Sequence, residues 1–350
     1  MISILATEFP QIATRVCGGM RGNVETPRGI RDRTTILSAL QKFIRRGETE
    51  RALEIAMEVV CLQMSIIANP SGLKAFVSNV RNRLMICAVE DCLHPSMYDR
   101  IVKLAKTFER DRRSVAGVRA FLEIVVVLAK SRKGRMPSVL KILQKPLSYD
   151  QEFCDRYKDI LEIEDKGFDF NLFIEYLVRG KLTCVRHLDA TYISLAWVRL
   201  LEAVKRHENP GLRKCIESLH IMWKDVLPKN HREGFIILYQ AIVIVVFHKN
   251  VIYWDDSDVP DTEVPGTDEG LMEAFRSHLN NETPIVVPDY VYDMHTSKGR
   301  GLKRGSSHFA EIGSTVTNMA TDVVPPEMMD KFVRMYVDSK KHELNRFSVG

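Results

Sequence analysis

The sequence predicts an all-α protein: an array of helical hairpins, collar-like or solenoid-like, with an irregular basic arm at its start and a basic loop near its end. From Thr34 onward, apolar residues recur at the spacing of one helix face. Turns that contain glycine or proline separate these runs. Strand patterns are scarce, since the Val- and Ile-rich residues 241–246 continue a helical run with no turn signal before them.

The first elements follow from local signals. Residues 1–33 are predicted to form the irregular basic arm, because 17–33 are rich in glycine and arginine. A hairpin follows, in which Gly47 separates the helix that contains Leu40 from the helix that contains Val60. Residues 34–252 are expected to form one helical domain.

Later elements are predicted in the same way. Helices are expected at 73–90, after the turn His94-Pro95-Ser96, after the N-cap Ser114, and at 149–163, 168–179, 189–206, 209–226 and 231–249. Residues 253–270 contain seven acidic residues and no Lys or Arg, and are predicted to be an acidic linker or surface loop. Residues 271–350 are expected to form a C-terminal helical segment. It begins within a short helix predicted at 268–280 and contains the basic loop and a terminal helix near 325–344.

Composition and cysteine usage indicate an intracellular protein of the cytoplasm or nucleus. The chain has 350 residues, a formal net charge of +5 and seven cysteines without C-x-x-C spacing, which is typical of reduced thiols. Its first residues lack the basic leader and the long apolar run of a signal peptide. The most apolar segment, 235–247, is too short to span a bilayer. We therefore expect neither secretion nor a membrane partner.

Familiar catalytic motifs are missing. The glycine-rich stretch 299–307 lacks the Gly-Lys-Ser/Thr run of a P-loop, no G-x-G-x-x-G follows a strand, and G-x-S-x-G and H-E-x-x-H do not occur. We therefore expect no enzymatic activity, no cofactor and no metal. The alternative is an enzyme of unfamiliar type, or a metal site, with Asp293, His295 and His308 at its centre.

Three clusters of basic residues are the most informative feature that remains. Clustered Lys and Arg beside glycines can neutralise phosphates and release counterions. The sequence therefore predicts contacts with an anionic partner, either DNA or an acidic protein surface. The predicted contact residues are Arg31, Arg33, Lys42, Arg45, Arg46, Arg132, Lys133, Arg135, Lys298, Arg300, Lys303 and Arg304.

The third cluster lies within "YDMHTSKGRGLKRGSSHF", from Tyr292 to Phe309. We interpret this stretch as a basic loop jointed by glycines, in which Thr296 or His295 caps the helix that follows. The residues expected to organise the loop are Asp293, His295, Thr296, Gly299, Gly305 and His308.

Two stretches, "TTILSALQKFIRRGETERALEIAMEV" and "VRNRLMICAVEDCLHPSMYDRIVKL", resemble a known family. They are similar to the S-A-L-x-K-x-x-R-G and R-R-L-x-x-x-A-x-E-D-I-G segments in the C-terminal helical region of the MgsA/RarA-type and Werner-helicase-interacting replication-associated recombination ATPases. The likeness covers residues 34–105, and Cys92-Leu93 stands where Ile-Gly is expected. The resemblance implies a helical region like the collar through which clamp-loader relatives oligomerise. It implies no AAA+ motor, because the Walker and arginine-finger residues have nothing to map onto.

The resemblance and the basic clusters lead to two functional hypotheses. The first is a non-enzymatic, homo-oligomeric helical protein that acts in DNA replication, recombination or repair, encoded for example by a virus or a mobile element. The second is a structural or scaffold protein, such as a virion or assembly component, whose basic loop docks on the acidic residues 255–269 of another subunit.

Overall fold

A computed structural model describes residues 1–17, 24–65, 70–138, 193–226, 234–247 and 264–317, and four single positions after them. Helices dominate these residues, whose only β pairing is two isolated bridges, Cys17 with Glu25 and Cys92 with Lys133. The prediction of an all-α protein is therefore confirmed.

Most helices lie close to their predicted positions. Their bounds are α1 (Ile2–Glu8), α2 (Pro10–Arg15), α3 (Arg33–Arg46), α4 (Thr49–Cys61), α5 (Pro70–Glu90), α6 (Met97–Arg110), α7 (Val115–Lys130), α8 (Ile193–Lys205), α9 (Pro210–Ile221), α10 (Gly234–Phe247), α11 (Asp268–Asn280) and α12 (Ser297–Gly301). Shorter elements are 3-10 turns at Leu62–Met64 and Asp289–Val291, π turns at Met222–Val226 and Phe309–Gly313, and a helical turn at Ser306–His308. The helices predicted at 149–163 and 168–179, and most of the acidic segment 253–270, lie outside the described ranges. Of the helix predicted near 325–344, only the four single positions are described, and all four are helical.

The N-terminal arm is more ordered than predicted. Helices α1 and α2 occupy most of its first half, and they bury apolar side chains such as Ile2 and Ile12. Pro10 opens α2 at a position where its missing N–H is not needed. The prediction of an irregular segment 1–33 is therefore wrong for residues 2–15. Helices of seven and six residues are too short to show a periodic pattern.

By its internal contacts the chain divides into two compact units. The first comprises Met1–Cys87, Lys103–Ser131 and Pro260–Asn318, and the second comprises Ala88–Val102, Arg132–Val259 and Met319–Gly350. This division differs from the predicted domain order, which was an arm, a helical domain at 34–252, a linker and a C-terminal segment at 271–350. The first unit joins its N-terminal helices to residues 264–317, because side chains of α3 bond to backbone groups about 250 residues further along the chain.

In the first unit, α3, α4 and α7 pack on one another, and α11 packs on α7. The three central helices bury apolar side chains such as Phe43, Ile55 and Phe121, and removal of this surface from water is the main stabilising contribution. Gly47 ends α3 in the left-handed conformation, at φ +69°, which glycine adopts without strain. The predicted break between α3 and α4 is therefore confirmed.

The second unit contains α8, α9 and α10, which also pack on one another. The indole rings of Trp197 and Trp223 stack with their centroids 5.8 Å apart. In the apolar helix α10, the side-chain amide of Gln240 donates to the Cys92 carbonyl and to the Tyr98 hydroxyl, so this buried nitrogen is bonded. Among the described residues, no helix combines the length and the apolar character that crossing a bilayer requires.

Helices α7, α11 and α12 begin with the same local motif. A Ser or Thr hydroxyl at the N-cap accepts a hydrogen bond from the N–H of a glycine three residues later. The pairs are Ser114–Gly117, Thr267–Gly270 and Thr296–Gly299. Ahead of α7 and α12, the carbonyl group of Asp111 or Asp293 lies where the Cβ of a residue larger than glycine would be. The local sequence D-x-x-S/T-x-x-G therefore determines how both helices start.

Candidate functional site

We define the basic loop as residues 292–309. One face of α3 contacts this loop and the residues on either side of it, from 290 to 313. The polar residues of this face are Ser38, Lys42, Arg45 and Arg46, which follow one another at helical spacing. Each of them donates to a backbone carbonyl between positions 290 and 313. The loop is therefore attached to the helical core by polar contacts.

Lys42 lies at the centre of this face. The residue is 2% exposed, and its ammonium group donates to the carbonyls of Tyr290 at 3.0 Å and Val291 at 2.8 Å. The same group contacts Oδ2 of Asp293 at 2.5 Å. An ammonium group has three hydrogens, so all its donors are bonded within the chain. The prediction that Lys42 contacts an external anion is therefore wrong.

Asp293 is equally buried, at 1% exposure. Its Oδ1 accepts a hydrogen bond from the N–H of His295 at 2.8 Å. Burial by itself raises the pKa of this carboxyl, but hydrogen bonds from His295 and Lys42 hold the pKa of Asp293 well below its usual range. Burial lowers the pKa of Lys42 to about 8, against the opposing effect of Asp293. At neutral pH the two side chains therefore form an ion pair.

Acid is expected to weaken the fold through Asp293. Its pKa is lower in the folded chain than in the unfolded chain, where aspartate titrates near pH 4. The stabilising contribution is therefore present above about pH 4 and is lost as the pH falls towards the folded-state pKa. Urea unfolding near pH 6 and near pH 3 should show a larger loss of stability in the wild type than in Asp293→Asn, which cannot bind this proton. Equal losses in the two proteins would contradict this contribution.

Thr296 starts α12 inside the basic loop. Its hydroxyl accepts from the N–H of Gly299 at 2.9 Å and donates to the Asp293 carbonyl at 3.0 Å. Of the two residues predicted as the cap, the structure has Thr296 in this role. These bonds hold the backbone from 293 to 299 in one conformation.

Arg45 and Arg46 are bonded within the chain. Arg45 is buried and donates to the Gly313 carbonyl at 2.7 Å. Arg46 donates to the Ile312 carbonyl, and its guanidinium lies 4.0 Å from the centre of the Tyr290 ring. The predicted external contact is wrong for Arg45, because its side chain is buried and donates to the Gly313 carbonyl inside the fold. Arg46 is half-buried and takes part in the same attachment.

Arg304 organises the loop from within. Its guanidinium donates to both carboxylate oxygens of Asp289 and to the Tyr292 carbonyl. The hydrogen bond from Arg304 lowers the pKa of Asp289. Arg304 therefore links the two ends of the loop, and its predicted contact with a partner stays a prediction.

The second basic cluster belongs to the second unit. Lys133 and Arg135 are buried, and Arg135 donates to Oδ1 of Asp91 at 2.5 Å. Arg132 is half-buried, and its carbonyl accepts from the N–H of Leu93 at 2.9 Å. The predicted contact with an external anion is therefore wrong for Lys133 and Arg135. The turn that carries them is packed against the chain, and Arg135 is compensated there by Asp91 and Glu90.

Three basic side chains of the loop remain at the surface: Lys298, Arg300 and Lys303, which we call the exposed cations. Within the described part of the chain, none of the three forms an ion pair. The ammonium group of Lys298 lies 4.0 Å from the centre of the Tyr292 ring, a cation–π contact that restricts its position. Their charges are therefore available to a partner.

The N-terminal end of α3 lies beside α12. The N–H of Ser297 donates to the Thr34 hydroxyl at 3.0 Å. Close to Thr34 in sequence are the half-buried Arg33 and the exposed Arg31, which pairs with Glu25 at 3.3 Å. The start of the first basic cluster and the third cluster are therefore brought to the same part of the first unit.

The two histidines of the loop differ in their surroundings. The side chain of His295 is 58% exposed, and its ring packs edge-on against Phe309 with the centroids 4.7 Å apart. His308 is half-buried, and burial lowers its pKa. Gly305 is exposed, with open space around it. A metal site was the alternative considered for Asp293 and these histidines. Among the described residues, no group of three His, Cys, Asp or Glu side chains is placed to hold a metal ion.

Sequence reasoning missed the role of Ser38, whose hydroxyl donates to the Val291 carbonyl at 2.7 Å. A signal was present, since Ser38, Lys42 and Arg45 share one face of a helix that is otherwise mostly apolar. Three polar residues aligned in this way indicate a polar partner inside the fold.

No family model, curated protein or solved structure matches this chain.

Proposed function

We propose that this chain is a non-enzymatic helical protein that binds nucleic acid through the exposed cations of its basic loop. The observation that carries the proposal is the difference between two sets of basic residues. Those on α3 bond to the chain's own carbonyls and to Asp293, whereas the exposed cations form no ion pair in the described part of the chain. The phosphates of a nucleic acid are anions that three such cations can neutralise.

The fixed conformation of the backbone that carries the exposed cations favours binding. They lie on or directly after α12, whose start is fixed by the cap Thr296 and by the buried pair of Lys42 and Asp293. A loop that is already held in one conformation loses little conformational entropy when it binds. More of the interaction energy is therefore available for affinity.

DNA replication, recombination or repair is the setting that we propose. It is supported by the resemblance of residues 34–105 to the helical region of the replication-associated recombination ATPases. The S-A-L-x-K-x-x-R-G segment of that resemblance includes Ser38, Lys42 and Arg45, which attach the basic loop to the helical core.

Binding to DNA should depend on salt and on the exposed cations. In a salt series, each phosphate contact contributes about 0.7 to the log–log slope for a single strand and about 0.9 for a duplex. A triple Lys/Arg→Gln variant at the exposed cations should therefore reduce the slope by about 2 units and weaken binding at low salt. The measurement is fluorescence anisotropy of labelled DNA.

The matched control removes the same charge elsewhere in the first unit. Lys103, Lys106 and Arg110 are exposed on α6, and their replacement by Gln should leave most of the slope intact. Equal losses in both triple variants would indicate an effect of net charge only. A wild type that binds no DNA at low salt would reject the proposal and favour an acidic protein partner.

A further inference from the structure

The surface around the exposed cations also carries groups that are not charged. The ring of His295 is exposed directly before the N-cap of α12, and the side chain of Leu302, between Arg300 and Lys303, is 51% exposed. A surface that contacts only phosphates has no need for an aromatic ring and a large apolar side chain. The positions of His295 and Leu302 beside the exposed cations indicate contact with the bases of a nucleic acid.

The ring of His295 is held in place from two sides. Its Nδ1 lies 3.2 Å from Oδ1 of Asp293, and its edge-on contact with Phe309 has an angle of 74° between the ring planes. Asp293 is itself fixed by Lys42. The ring is therefore an oriented platform, and a base that stacks on it does not have to immobilise a freely rotating side chain.

We infer that the basic loop binds single-stranded nucleic acid, with a base stacked on His295 and with phosphates on the exposed cations. This inference rests on the proposed function. In a duplex the faces of the bases are covered by their neighbours, whereas in a single strand they are free to stack on aromatic side chains, including His. The combination of a basic surface and an aromatic platform is typical of single-strand binding.

The test compares three probes of about fifteen nucleotides: oligothymidylate, an abasic strand with the same number of phosphates, and a duplex. The wild type should bind oligothymidylate more tightly than the abasic strand and more tightly than the duplex, whose base faces are covered. His295→Ala should weaken oligothymidylate binding at least about fivefold and leave abasic binding and the salt slope unchanged. His295→Phe, which keeps a ring, should restore most of the affinity.

Each outcome has a defined meaning. If the wild type binds oligothymidylate and the abasic strand equally, or if His295→Ala weakens both equally, the inference is wrong although nucleic-acid binding stands. If none of the probes binds in a manner that depends on the exposed cations, the proposed function itself fails. A thermal unfolding curve of His295→Ala that matches the wild type excludes a loss of folding as the cause.

Discussion

Replacement of Lys42 by methionine is expected to lower the free energy of unfolding by about 3–5 kcal/mol. The substitution leaves the carboxylate of Asp293 buried without its ammonium partner. It also removes the donor to the Tyr290 carbonyl and one of the two donors to the Val291 carbonyl, which keeps its bond from Ser38. A buried charge without a partner costs far more than an exposed pair contributes. Urea unfolding followed by circular dichroism measures the loss.

Two controls separate this pair from a general effect of losing a lysine. Lys106→Met, on the exposed side of α6, should change stability by less than about 0.5 kcal/mol. The double variant Lys42→Met/Asp293→Asn should be more stable than the sum of its single variants implies, by about 1–3 kcal/mol. Additive losses would show that the two side chains do not stabilise each other. The basic loop would then need another anchor.

Replacement of Gly299 by alanine is expected to destabilise the protein by about 2–4 kcal/mol. A Cβ at this position would overlap the carbonyl group of Asp293 and lie 2.6 Å from its nitrogen. The turn before α12 would have to open, which breaks the bonds that Thr296 makes to Asp293 and Gly299. This loss includes overpacking and the loss of an N-cap.

Gly301→Ala is the matched control for this prediction. Gly301 lies on the same helix, two residues later, and nothing lies within 4 Å of its Cβ position. Its replacement should leave stability unchanged or raise it by up to about 1 kcal/mol, because alanine is the better helix former. A Gly299→Ala protein that unfolds at the same urea concentration as Gly301→Ala would mean that the turn adapts freely.

Local sequence signals determined where the described helices lie. Gly47 ends α3, Ser114 caps α7, and the D-x-x-S/T-x-x-G motif starts α7 and α12. Such signals act within a few residues, through one hydrogen bond or one glycine conformation, so they can be recognised without knowledge of the rest of the chain. The two short helices of the N-terminal arm were missed because six or seven residues do not show a period.

Only the tertiary structure decided which basic residues face the solvent. In the sequence, Lys42 and Lys298 both belong to clusters of positive charge, and the helical alignment of Lys42 with Ser38 and Arg45 does not say which distant groups it meets. In the fold, Lys42 bonds to Asp293 and to carbonyls about 250 residues away, while Lys298 stays exposed. A charge is buried only where a partner and donors or acceptors compensate for the lost water, and those partners are brought together by the packing of distant segments.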